Sequence, residues 1–274
     1  MNKLPIILFR PDESNKQEFE LAKQYFEVIT QRAEINKRET VLCRYSCLPY
    51  MKELENDVNI LGGKLFNSYK NHQYCADIQQ WYSDLEEYTF PTWFSVEEIP
   101  LSENGPFVIK GRTNSRKFQW KSKMFAKDRS DVGRVVGNLM DDPFIAEQGL
   151  VFRKYIPLKT ITESLQGLRI TEEFRFFFVK IKDYFSPFCI GESFYWGAHL
   201  EDIQDVNRTL IPYSASRLAS KIANIVCEKV NFVCVDIGIK EDGDPILIEL
   251  NDGCMAGLSC INPDKFYRNL KDAF

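Results

Sequence analysis

The sequence lacks several features that would fix its class at once. No apolar run approaches the ~20 residues a helix needs to cross a bilayer, and the longest early one, Leu4–Phe9, is closed by Arg10. That run is also too short for a secretory segment, so it reads as a buried first strand of a cytoplasmic protein. No two cysteines stand in CxxC spacing, which excludes a zinc knuckle or a dithiol redox motif. The eight thiols are therefore expected to be free and mostly packing residues. The Walker A pattern is absent, so phosphate binding would need another loop. Internal repeats and low-complexity segments are also missing. Histidine is scarce, with His72 and His199 alone.

What is present is a soluble globular composition. The 274 residues are 44% apolar, 14% aromatic and 27% charged, enough to fill a large core in one large domain or two small ones. The net charge of -4 argues against whole-chain attraction to nucleic acid or an anionic membrane. The distribution says more than the sum. Residues 110–134 hold nine basic and two acidic side chains, a local +7 in an otherwise acidic chain. An anion is expected near that segment.

The pattern of apolar residues gives an α+β chain with many antiparallel neighbours. Pro5–Phe9 and Val41–Cys43 read as strands, and Phe19, Ala22, Phe26 and Ile29 repeat at helical spacing. Ser14 has the form of a capping residue for that helix. Pro49 is expected to open a short helix through Glu55, and Asp77–Glu87 another. The first 99 residues thus form a small α/β unit. Pro100 and Gly105-Pro106 mark a boundary. Strands follow at Phe107–Lys110, Leu150–Phe152, Phe174–Ile181 and Ile190–Trp196. Helices are expected after Ser130 and after Ser214 or Ser216, with those serines as caps.

Two strands, Phe232–Ile239 and Ile246–Asn251, flank Glu241-Asp242-Gly243-Asp244. Asp-Gly is a favoured centre for a tight hairpin turn, because Gly tolerates positive φ. A turn centred there pairs residues whose numbers sum to 485, which puts Asp236 opposite Glu249 and Asn251 on the same face. Facing carboxylates repel unless a cation or proton joins them. Three hard oxygen donors suit Mg2+; a solvated strand face with ordinary surface acids is the alternative. Lys110 closes an apolar strand and leads into Gly111-Arg112-Thr113-Asn114-Ser115-Arg116-Lys117. Such a loop can cradle phosphate through charge and backbone N–H groups. It also reads as a nucleic-acid patch with Phe118 and Trp120 as stacking platforms, or as a solvated basic loop. A cationic loop and an acidic hairpin in one chain together suggest Mg2+-nucleotide.

The order strand-Lys-polar loop, then x-x-Asp, then hydrophobic-Glu-hydrophobic-Asn resembles the ATP-grasp superfamily from about Pro106 to Leu258. Its most specific part is Cys234-Val235-Asp236-Ile237 followed by Ile248-Glu249-Leu250-Asn251-Asp252-Gly253. The phrase Glu-Leu-Asn-Asp-Gly-Cys-Met-Ala-Gly-Leu, with Asn67–Tyr82 and Thr89–Phe94, is similar to a small bacterial and phage branch of that superfamily. The resemblance implies ATP held between two α+β subdomains, residues 100–155 and 156–274, after the small N-terminal unit. It implies Mg2+ on Asp236, Glu249 and Asn251. It also implies Lys110 at the α/β-phosphates, with Arg112, Ser115, Arg116 and Lys117 closing over them. Arg153, Lys154, Tyr155 and Ile156 would form the hinge at the adenine, Arg153 standing where relatives often carry Glu. Arg175 shares a strand face with Glu173 and Phe177, so its partner is expected to be phosphate or, structurally, Glu173. Many members carry Arg two residues before the metal Asp; Cys234 stands here, and Arg175 would supply the missing charge at the transferring phosphoryl group.

The activity the resemblance implies is joining a carboxylate-bearing small molecule or peptide to an amine, through an acyl phosphate, with Lys110 and Arg175 as catalytic cations. The alternatives on the same fold are a small-molecule kinase and an ATP-binding assembly chaperone with a protein partner. His72 reads as a site-lining residue or a cap, and His199 as surface.

Overall fold

The computed structural model describes residues 3–163, 169–181 and 184–274. The chain opens with β1 (Ile6–Phe9), α1 (Lys16–Tyr25), β2 (Val28–Ile29), β3 (Thr40–Arg44), α2 (Met51–Ile60) and β4 (Lys64–Leu65). The four strands make a parallel sheet in the order β2-β1-β3-β4. All four residues of β1 are buried, as expected for a central parallel strand covered on both faces. Helices α3 (Tyr69–Ala76) and α4 (Ile78–Leu85) then pack away from this sheet, with Cys75, Ile78, Trp81 and Leu85 in the core beneath the large sheet described below.

A second sheet contains β5 (Thr92–Trp93), β6 (Phe107–Gly111), β7 (Phe125–Ala126) and β8 (Leu150–Lys154), in the antiparallel order β5-β8-β6-β7. Helices α5 (Val132–Met140) and α6 (Pro143–Gln148) cover one face, burying Val132, Val135, Leu139 and Ile145 against Phe107 and Ile109. The hairpin β9 (Thr160–Glu163) and β10 (Arg169–Thr171) leads into the largest antiparallel sheet. That sheet consists of β11 (Glu173–Val179), β12 (Phe188–Phe194), β13 (Phe232–Ile239) and β14 (Pro245–Asp252), in the order β12-β11-β13-β14. Helix α7 (Tyr213–Val226) precedes β13, and α8 (Pro263–Ala273) ends the chain.

The phenylalanines of β11 divide by strand alternation. Phe174, Phe176 and Phe178 face α7 and α4. Phe177 and Val179 face α8 and the N-terminal sheet, sharing a core with Ile7, Phe9 and Leu42. Toward the N-terminal end of β11 this second face changes from apolar to charged, at Arg175 and Glu173, and there it meets the β5–β8 sheet. Six of the eight cysteines are buried, and all eight are free thiols. No helix among the described residues is long and apolar enough to cross a membrane.

Several local expectations are corrected. Ser14 does not cap α1: Asp12 is the stronger acceptor and takes the Ser14 hydroxyl at 2.6 Å and the Ser14 and Asn15 N–H groups. Asp128 displaces Ser130 in the same way, accepting from the Asp131 N–H and the Ser130 hydroxyl. Neither Ser214 nor Ser216 caps α7, which starts on the Pro212 carbonyl instead. Helix α2 runs past Glu55 to Ile60 because Leu54 and Val58 both reach the core.

One buried ion pair joins the chain's two ends. Arg44, last residue of β3, donates to Glu18 at 2.6 Å and 3.1 Å. Its Nη1 also donates to the carbonyls of Gly253, Cys254 and Ala256, in the loop after β14. Tyr267 of α8 completes the cluster on Glu18 at 2.8 Å. Arg44→Met would leave Glu18 without its cation and three carbonyls without a donor. A loss of about 3–5 kcal/mol is expected in urea unfolding; a loss below about 1 kcal/mol would remove this pair from the forces holding the two ends together.

Candidate active site

The β5–β8 sheet and the β11–β14 sheet enclose a cavity of about 610 Å³, a size suited to a nucleotide-sized molecule. Part of its wall is apolar: Val108, Trp120, Phe125, Tyr155, Ile156 and Ile248. Trp120 stacks on Phe125 at 5.8 Å, and Tyr155 meets Phe125 edge-on at 5.3 Å. The cavity's charged residues include Lys110, Lys117, Arg153, Glu173 and Glu249.

The hairpin places Asp236 opposite Glu249, and Cys234 opposite Asn251, as the turn argument requires. It reaches that register by an unexpected route. Next to the turn the pairs are Ile239–Pro245, Gly238–Ile246 and Ile237–Leu247, one residue off, and a bulge at Ile248 restores the alignment. The bulge also re-aims side chains. Leu247 and Leu250 both enter the core, while Ile248 and Glu249 both line the cavity. A regular strand cannot point consecutive side chains to one face.

Each facing carboxylate has its own cation. Arg175 grips Asp236 bidentately, with Nε to Oδ1 at 2.8 Å and Nη2 to Oδ2 at 2.7 Å, and Asn251 Nδ2 adds a bond at 3.2 Å. Arg175's partner is therefore Asp236 and not Glu173, because β11 pairs with β13 in a register that sets residues 175 and 236 side by side. Lys110 crosses from β6 to Glu249 Oε2 at 2.8 Å. Burial alone would raise the Glu249 pKa, but Lys110 and Lys117 hold it well below the usual carboxylate range. Burial pushes the Lys110 ammonium down, and Glu249 only partly opposes that. Burial works against Lys117 as well, yet Glu249, Tyr195 and Glu173 raise it overall. The donor set of two carboxylates and an amide oxygen fits a hard divalent cation. Among the described residues there is no cluster of three or more His, Cys, Asp or Glu.

The basic loop separates into two groups. Ser115 and Lys117 line the cavity. Lys117 reaches over the cleft to the Tyr195 hydroxyl at 2.7 Å, its ammonium 4.4 Å from the ring centre. Arg112 is instead paired with Asp77, with Nε at 3.0 Å, and Arg116 with Asp142, with Nε at 2.7 Å. Lys154, Tyr155 and Ile156 lie along the cavity, Lys154 paired with Glu103 at 2.8 Å. Arg153 lines the cavity as well, but it is largely buried and held by protein groups on three sides. Burial lowers its pKa to about 10, which still leaves it cationic at neutral pH.

Three residues at the site had no reading as ligands in the sequence. Glu173 lines the cavity, accepts from Thr171 and Trp196 Nε1, and is raised by burial, with Lys117 opposing. Its place in Glu-Phe-Arg before an apolar strand was the available signal. Tyr195 and Thr89 had none, because their partners lie 78 and 158 residues away in the chain. Neither histidine lines the cavity. His72 is inside α3, bonded to Asp252 at 3.1 Å, and His199 sits beside Asp202. Phe118 is 72% exposed, so it does not join Trp120 in a shared platform.

A family model of the ATP-grasp domain, family 3 of its clade, matches residues 99–270. The chain belongs to that ATP-grasp family. Solved structures with the ATP-grasp fold align along nearly the whole chain. D-cycloserine synthetase DcsG superposes with a TM-score of 0.64 at 12% identity, covering 99% of each chain. N5-carboxyaminoimidazole synthetase from Staphylococcus aureus, complexed with ADP, gives 0.61 at 11% identity, covering 94% of this chain and 73% of that one. D-alanyl-alanine synthetase A from Vibrio cholerae gives 0.59 at 11% identity, covering 98% and 97%. At these identities the likeness establishes the ATP-grasp fold, two α+β subdomains around the cavity. No curated protein sequence matches the chain.

The depressed pKa of Glu249 makes a prediction about acid stability. A carboxyl held below its unfolded value contributes stability above the ordinary carboxylate range and loses it as pH falls. Glu249→Gln should therefore lose less stability than wild type between about pH 6 and about pH 3, measured by urea unfolding. Equal losses would mean that Lys110 and Lys117 do not hold Glu249 ionised.

Proposed function

We propose that the protein is a Mg-ATP-dependent ligase that joins a carboxylate to an amine through an acyl phosphate. The observation that carries this reading is the register of β13 and β14, which turns Asp236, Glu249 and Asn251 to one face beside Lys110 and Arg175. In this reading residues 1–99 form the N-terminal unit, residues 100–155 supply the phosphate loop and hinge, and residues 156–274 supply the metal ligands. ATP is the substrate, its base against the apolar wall and its phosphates toward Lys110, Ser115 and Lys117. Asp236, Glu249 and Asn251 hold Mg2+, whose chemistry is to neutralise charge on the phosphate oxygens during in-line transfer.

The protein's own groups then have defined tasks. Lys110 exchanges Glu249 for phosphate, and burial makes its charge count for more than it would in water. Lys117 sits on Tyr195 and brings the loop over the cavity. Arg175 orients Asp236 and stands next to the site of transfer. Arg112 and Arg116 anchor the loop through Asp77 and Asp142 and add positive potential. The free thiols fit a reducing cytoplasm, and the reading needs neither a membrane nor a nucleic acid.

The test is trapping with hydroxylamine. The protein is incubated with Mg-ATP and pooled amino acids, peptides and small carboxylates, and hydroxamate and ADP are followed by mass spectrometry. Hydroxamate that depends on Glu249 is expected, and Glu249→Ala should abolish it. Arg175→Ala should reduce turnover by about 10²-fold or more, the usual cost of removing one electrostatic contact to the transition state. ADP without hydroxamate would overturn the ligase reading in favour of a kinase. Stoichiometric capture of a protein without turnover would replace it with a chaperone.

A further inference from the structure

We infer that Thr89 and Arg153 clamp the bulge at Ile248, and that this clamp aims Ile248 and Glu249 into the cavity together. The inference rests on the ligase reading for what the two residues do there. It rests on geometry alone for how they are held.

A bulge leaves ladder groups without a strand partner, and each such group needs another one. Here β14 is the edge strand of its sheet, and the carbonyls of Leu247 and of the bulged Ile248 are taken up by Thr89 and by Arg153 of β8. Thr89 Oγ1 donates to Leu247 O at 2.8 Å. Arg153 Nη1 donates to Ile248 O at 2.7 Å. The two clamping residues are joined, since Arg153 Nη2 donates to Thr89 Oγ1 at 2.6 Å. Arg153 Nε reaches Thr92 Oγ1 at 3.3 Å, and the guanidinium lies over the Phe90 ring at 4.6 Å. Thr92 and Arg153 are also paired residues of β5 and β8.

Three divergent donors fixed in one plane are what a guanidinium provides and an ammonium does not. The opposite side of the bulge is shaped to receive it. A Cβ at Gly238 would stand 2.8 Å from Ile248 Cδ1 and 2.9 Å from Leu158 Cδ1, so Ile248 lies over a bare glycine. The segment Thr89-Phe90-Pro91-Thr92 thereby gains a task. It ties the hinge strand to the strand that carries the metal ligands. Arg153 also borders the cavity, but Thr92, Ile248 and Thr89 take a donor from each of its three nitrogens, and in this proposal it is a positioning residue that acts through Ile248 and Glu249.

The test uses the full chain with Arg153→Lys and Thr89→Val. Adenosine, ATP with EDTA and ATP with Mg2+ are titrated calorimetrically, and amide hydrogen exchange is followed without ligand. In both variants the gain in ATP affinity from Mg2+ should fall by roughly 10- to 100-fold, the usual effect of removing a partner that orients a metal ligand. Adenosine should bind more weakly, because Ile248 shifts. Exchange should accelerate at residues 246–250 and not in β11. Loss of ATP affinity with adenosine and the Mg2+ gain unchanged would overturn the clamp, making Arg153 a phosphate contact. A lower melting temperature with all three titrations and local exchange unchanged would also overturn it. Wild-type protein that shows no Mg2+ gain would sink the metal assignment; exchange at 246–250 then decides the clamp by itself.

Discussion

Asp236 and Glu249 face each other across neighbouring strands, and a buried and a part-buried carboxylate at that spacing need cations to stay ionised together. Arg175 serves Asp236 from within the same sheet. Lys110 serves Glu249 from the other sheet. The second contact links the two sheets, and the attraction between the part-buried Lys110 and Glu249 offsets the hydration both lose there. The cavity exists because the sheets approach at that point and leave room beside it.

In the proposed function this arrangement lets the charged groups exchange partners. The site holds both signs of charge, Lys110 and Lys117 beside Glu249 and Asp236. A phosphate can take the place of Glu249 on Lys110, and a divalent cation can take the place of Lys110 on Glu249. Tyr195 contributes by offering a π face to both Lys117 and Arg175, at 4.4 Å and 4.7 Å. The N-terminal sheet supports the same region from behind, since Arg44 holds the loop that leaves β14.

The residues legible in the sequence were those whose meaning comes from near neighbours along the chain. Glu249 and Asn251 lie two apart on one strand, and the Asp-Gly turn joins that strand to Asp236. Lys110 ends an apolar run and opens a polar loop. What stayed hidden was set by groups distant in sequence. Arg112 and Arg116 looked equivalent to Lys117 as loop cations, yet Asp77 and Asp142 hold them and only Lys117 lines the cavity. Ser14 and Ser130 failed as caps because a nearby aspartate accepts more strongly, and Ser214 and Ser216 because α7 starts on the Pro212 carbonyl. Asp236 was found opposite Glu249 although the turn itself runs one residue off, and the bulge at Ile248 supplied the difference.

The sequence by itself determined the ATP-grasp class, the strand that carries each charged residue, and the face on which those residues fall. The class came from resemblance to ATP-grasp sequences; for the strands and their faces, alternation of apolar side chains and short-range turn chemistry are enough, because both act within a few residues. Only the tertiary structure decided which cation meets which carboxylate, that Arg153 is bound up with Thr89 and Ile248, and that Ile248 and Glu249 share a face. The Lys110–Glu249 and Arg153–Ile248 contacts depend on the approach of two sheets, and the Arg175–Asp236 pair on strands distant in the chain meeting in one sheet. No local pattern encodes the distance between groups that meet only when both sheets have formed.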